Sequence, residues 1–137
     1  MSTSDIQALV PGIEGRAQWT VAVEHLASTW GSGLVDVLAT PTLVGFCEEV
    51  ARQSVRALLP PGKQTVGTLV HIEHLAATPL GMKVTVQSKL VEIDGRRLTF
   101  VIEANDEREL VARCEHQRFI IEQERFSARI SEKSRLE

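Results

Sequence analysis

Tyrosine is absent, and aromatic residues of all kinds fill only 4% of the 137 positions. Proteins that bind single-stranded nucleic acid rely on stacked rings beside a basic groove. A net charge of −3 and so few rings give no such footprint, and no nucleic-acid partner is expected. Cysteine is scarce: Cys47 and Cys114 are the only two. Both lie in apolar segments, where a free thiol behaves as a small buried hydrophobe. They read as core thiols of a cytoplasmic protein, not as a disulfide. No apolar run approaches the ~20 residues that span a bilayer, so no membrane association is expected. The opening MSTSDIQALVPG has no basic segment followed by an apolar one, the signature of a secretory leader. There is no glycine-rich phosphate loop, and Ser32 has no visible His/Asp partnership that would make it a nucleophile.

What is present is 43% hydrophobic residues in a chain of one-domain length, enough to bury a sizeable core. A single domain over 1–137 is expected, with a polar lead-in over 1–16 and a charged tail over 122–137. One stretch organises the rest: ATPTLVGFCEEVARQSVRALL, from Ala39 to Leu59. Thr40 before Pro41 predicts an N-cap and a first helical position, and Pro60, Pro61 and Gly62 stop the helix. On the helical wheel Leu43, Val44, Phe46, Cys47, Val50, Ala51 and Val55 share one broad arc, with Glu49, Arg52, Gln53 and Arg56 opposite. Glu48 sits at the boundary between the two.

After the helix the period changes from 3.6 to 2. Strands are predicted over 65–76, 82–93, 97–104 and 110–121, with Asp94-Gly95 as a two-residue hairpin turn. A first strand is predicted over 18–24. Phe126 and Ile130, spaced i, i+4, predict a short C-terminal helix. One strand, one long helix and four hairpin-linked strands define an α+β fold, an antiparallel sheet packed on one helix.

Few side chains stand out as chemistry. On the strand from Thr65, alternation places Val66, Thr68, Val70, Ile72 and His74 on one, helix-facing side, and Thr65, Gly67 and His71 on the other. Spacing alone favours a core-edge histidine for His74; the functional alternative is a general acid–base. His71 and His74 point to opposite faces, so HIEH does not form a metal site. Thr40 has the ordinary reading of a cap, and the functional one of a hydroxyl at the positive end of a helix dipole. Glu48 reads first as a solvated carboxylate. Gly67 marks a bulge or a close backbone approach. Arg118 shares a strand face with Cys114, His116 and Ile120, as a strand-end charge or a partner for a carboxylate or phosphate.

These residues resemble a known family. Val37-Leu38-Ala39-Thr40-Pro41 with Val44-Gly45 and Glu48 looks like the helix entry of the fluoroacetyl-CoA thioesterase-like group of hotdog proteins. His74-Leu75-Ala76-Ala77-Thr78-Pro79-Leu80-Gly81 is similar to that group's His-containing strand end. Glu92, Gly95, Arg96, Arg97 and Leu98 match its hairpin, and His116 and Arg118 its last strand. The resemblance implies a hotdog fold, in which an antiparallel sheet wraps one long central helix. It implies a homodimer, with tetramers left open, and two sites at the subunit interface. The implied activity is hydrolysis of an acyl-CoA thioester to free acid and CoA. No cofactor is implied, since coenzyme A is part of the substrate, and no metal. Thr40, Glu48 and His74 match the catalytic residues, with Glu48 either activating water or forming an acyl-enzyme. Gly67 and Arg118 match residues lining the site. Leu34 and Leu38 occupy the place of an aromatic lid, which gives Leu34 a substrate-binding role and implies a short- or medium-chain or aryl acyl group instead of fluoroacetyl. The competing reading is a hotdog protein that binds acyl-CoA without cleaving it.

Overall fold

The computed structural model describes residues 9–31 and 33–135. Residues 1–8 of the expected lead-in, Ser32 and the last two residues of the tail lie outside the described residues. The chain runs β1 (Glu14–Thr20), a 3-10 turn (Val23–His25), α1 (Ala27–Trp30), α2 (Thr40–Arg56), β2 (Lys63–His74), β3 (Lys83–Asp94), β4 (Arg97–Asp106), β5 (Leu110–Glu122) and α3 (Gln123–Lys133). The strands form one antiparallel sheet in the order β1-β3-β4-β5-β2.

The layer forms because each element is apolar on one side only. Leu43, Phe46, Cys47, Val50, Ala51 and Val55 recur at helical spacing on α2 and are all buried. They meet Val84, Val86 and Leu90 of β3 and Leu98, Phe100, Ile102 and Ala104 of β4, which alternate inward and are buried to within 2%. Trp19 of β1 stacks on Phe46, with ring centroids 4.0 Å apart and planes within 5°. Such pairs add about 1 kcal/mol beyond the area they bury. No described helix is long and apolar enough to cross a membrane.

Several boundaries differ from those expected. The first strand spans Glu14–Thr20, not 18–24; the chain then turns, so Val21 is buried while Val23 is exposed. The long helix ends at Arg56, before Leu59, because Ala57 caps it and a turn precedes Pro60. In the β3–β4 hairpin Asp94 pairs with Arg97, so the turn residues are Gly95 and Arg96, not Asp94 and Gly95. Gly95 has φ 60°, a value favoured in glycine at the first turn position.

The largest departure is in β2. Its register against β5 shifts between Gly67 and Leu69, leaving Thr68 as the extra residue of a bulge. One extra residue reverses the alternation. Thr65 and Gly67 therefore share the helix-facing side with Val70, Ile72 and His74, and simple alternation had placed them on the other.

Candidate active site

Thr40 does not cap α2. The Leu43 N–H donates to the Ala39 carbonyl at 3.0 Å, which makes Ala39 the N-cap and puts Thr40 and Pro41 in the first turn. A side chain already inside the helix has no cap geometry to satisfy, and the Thr40 hydroxyl is free for another partner. That partner is His74, at the end of β2, with Oγ1 and Nδ1 2.8 Å apart. The other ring nitrogen, Nε2, is buried and has no hydrogen-bond partner among the described residues. Burial lowers the His74 pKa, and the Ala76 backbone opposes the shift. The imidazole is thus held neutral, with one face of its acid–base chemistry tied to a hydroxyl.

A second group forms further along the helix. Glu48 leaves α2 toward β2 and meets the backbone at Gly67. A Cβ built on Gly67 would stand 2.5 Å from Glu48 Oε2, 3.3 Å from Arg118 Nη1 and 3.3 Å from His116 Cε1. Both explanations that its position in the strand had offered apply: Gly67 adjoins the bulge at Thr68, and the Glu48 carboxylate packs where a side chain would begin. Arg118 Nη1 lies 3.9 Å from Glu48 Oε2; the arginine side chain is 6% exposed and the carboxylate 42%.

Arg118 is held from three sides. Nε donates to Thr65 Oγ1 at 2.8 Å and Nη2 to the Thr65 carbonyl at 3.0 Å. Nη1 is 3.2 Å from His116 Nε2, and His116 Nδ1 is 2.8 Å from the Leu69 carbonyl. Arginine has no acceptor, so His116 Nε2 accepts from Arg118 and Nδ1–H donates to Leu69. His116 is therefore neutral. It joins the guanidinium to the backbone beside the bulge. Burial pulls the Arg118 pKa down while the Glu48 carboxylate opposes that pull. Thr65 went unrecognised in the sequence because Gly67 offered a bulge only as one of two readings and did not fix that the alternation reverses there.

Leu34 is not brought to either group: it is 98% exposed on the loop between α1 and α2. Cys47 and Cys114 are free and buried. The Cys114 thiol beside it and burial push the Cys47 thiol up, so it is not an activated nucleophile. A concavity of about 770 Å³ lies on the outer sheet face, where His71, Glu73, Lys89 and Glu103 are exposed, and its lining includes none of Thr40, Glu48 and His74.

A five-stranded antiparallel sheet wrapped on one long helix, with a polar pair at the helix entry, defines a hotdog-fold protein. The family model of the fluoroacetyl-CoA-specific thioesterases matches residues 21–124. The fluoroacetyl-CoA thioesterase of Streptantibioticus cattleyicolor is 34% identical over 99 residues, 72% of this chain and 71% of that protein. The chain belongs to this family of thioester hydrolases. A mutant of the fluoroacetyl-CoA-specific thioesterase, solved in complex with fluoroacetate and CoA, superposes with a TM-score of 0.82. The two are 27% identical, over 86% of this chain and 99% of that one. A hot-dog-like protein from Thermanaerovibrio acidaminovorans superposes with a TM-score of 0.89, covering 96% of this chain and 97% of that one. At 21% identity it speaks for the fold alone.

Proposed function

We propose that the protein hydrolyses acyl-CoA thioesters carrying a short- or medium-chain or aryl acyl group, in the cytoplasm, at sites shared between the subunits of a homodimer. The observation that carries this reading is the division of the polar residues within one chain. Thr40 and His74 form one pair; Glu48, Gly67 and Arg118 form another group. Eight residues of helix separate Thr40 from Glu48, about 12 Å, too far for both to act on one carbonyl. β2 is an edge strand with one side unpaired among the described residues. A second copy pairing antiparallel along that edge would set the two α2 helices side by side in opposite directions. The entry of one helix would then lie beside the middle of the other, and Glu48 of one subunit would meet Thr40 and His74 of the other.

In this reading Glu48 takes a proton from water, and the water oxygen attacks the thioester carbon. The Thr40 hydroxyl and the neighbouring α2 N–H groups stabilise the carbonyl oxyanion. Collapse breaks the C–S bond, and the departing thiolate receives a proton relayed through His74. The exposed Leu34 loop would close over the acyl group from the subunit edge. The solved relative that holds fluoroacetate and CoA supports a substrate of this class.

A panel of acyl-CoAs followed by detection of free thiol tests the proposal. At least one short, medium or aryl ester should be cleaved, and Glu48→Ala and His74→Ala should each lower kcat roughly 10²–10⁴-fold. Saturable thermal shifts with every ester left intact would make the protein a binder of acyl-CoA and not a hydrolase.

A further inference from the structure

We propose, building on the acyl-CoA reading, that the groove between α3 and the adjoining ends of β2 and β5 binds the adenosine 3′,5′-bisphosphate end of coenzyme A. This groove is about 390 Å³, the size of a small-molecule site. Its charge departs from that of the rest of the molecule. Five cations line it: Lys63 from β2, Arg96 from the β3–β4 turn, and Arg125, Arg129 and Lys133 from α3. Against them stands one carboxylate, Glu122, already shared by Lys63 at 3.7 Å and Arg125 at 3.8 Å. Arg96, Arg129 and Lys133 take part in no ion pair among the described residues. A chain of net charge −3 thus gathers unpaired cations at one place.

The groove is also aromatic. The Arg96 guanidinium lies 5.2 Å from the Phe119 ring centroid, which orders the cation and leaves its N–H edge free. Phe126 and Ile130, one turn apart on α3, stay 37% and 52% exposed beside it. Cations around flat apolar surface suit a phosphorylated aromatic, with arginines on phosphate oxygens and a ring against phenylalanine. Among such ligands, coenzyme A is the one the proposed reaction supplies. Four residues of β2, about 13 Å, separate Lys63 from Gly67. With Glu48 and Gly67 of one subunit set against the end of the other subunit's β2, residues 63–66 lie beyond the paired stretch, and a ligand leaving past them can place its thioester at Glu48 and its nucleotide here.

The experiment compares wild type with Arg129→Gln/Lys133→Gln, two exposed positions on α3. Adenosine 3′,5′-bisphosphate is titrated by calorimetry, and kcat/KM is measured for an acyl-CoA and for the same acyl group on N-acetylcysteamine, which has no nucleotide. The expected result is that bisphosphate binding, and the ratio of the two kcat/KM values, each fall roughly tenfold or more. Both losses should shrink at high salt. If acyl-CoA is cleaved but neither quantity moves, the groove assignment is overturned and the hydrolase reading stands. If no ester is cleaved but bisphosphate binding depends on Arg129 and Lys133, the hydrolase reading fails and the groove assignment stands. A changed oligomeric state with unchanged nucleotide binding would give the groove to a second copy and overturn the proposal.

Discussion

Two histidines, buried His116 and half-buried His74, shape the response to acid. Burial lowers the pKa of His74, with the Ala76 backbone opposing. Burial also lowers that of His116, assisted by the Arg118 cation and opposed by the Leu69 carbonyl and Glu48. Both fall from an ordinary value of 6.5. The folded state therefore binds fewer protons than the unfolded chain just below that value, and stability rises with pH there. Stability should be fully present above about pH 6.5, and lost as pH falls through 6.5 toward the lower folded-state values. A Tm series from pH 8 to pH 5 should be flat at first and then decline, with a shallower decline in His116→Gln. A Tm that rises on acidification would contradict the assignment. At this scale the sequence was only partly legible. His74 is the odd polar group in an apolar row, which alternation finds. Its bond to Thr40 depends on where the helix starts by one residue, and a Thr-Pro pair fits either position. His116 and Arg118 are visible as an inward polar pair on β5, but their third partner, Thr65, is not.

At the scale of elements, α2 and β2 carry most of the candidate site, and they differ in how far local pattern describes them. The helix is plain from its apolar spacing and its proline stops. The bulge at Thr68 is only hinted at by Gly67, because which residue is extra is set by the register against β5. It brings Gly67 under Glu48, and Gly67→Ala tests that contact. The added Cβ meets the end of a flexible, part-exposed carboxylate side chain, which can swing away. The variant should fold with little change in Tm, while kcat falls about 10²-fold because the carboxylate is displaced by an ångström or so. Unchanged kcat would show that the position of Glu48 against β2 does not matter to the reaction.

For the whole molecule the question is whether one chain suffices. If each site draws on two subunits, Glu48→Ala and His74→Ala damage different halves of it. A heterodimer of the two variants, purified through different tags, then keeps one intact site of two and about half the wild-type activity. If each site lies within one subunit, the heterodimer is as inactive as its parents. By itself the sequence determined the fold class, the central helix and the four later strands, because period and composition are properties of neighbours along the chain. The pairing of Thr40 with His74, the inward turn of Thr65 and Gly67, the clamp on Arg118 and the basic groove beside α3 were decided only by the tertiary structure. Each depends on the register of strands and helix distant in sequence, and a shift of one residue would point those side chains elsewhere.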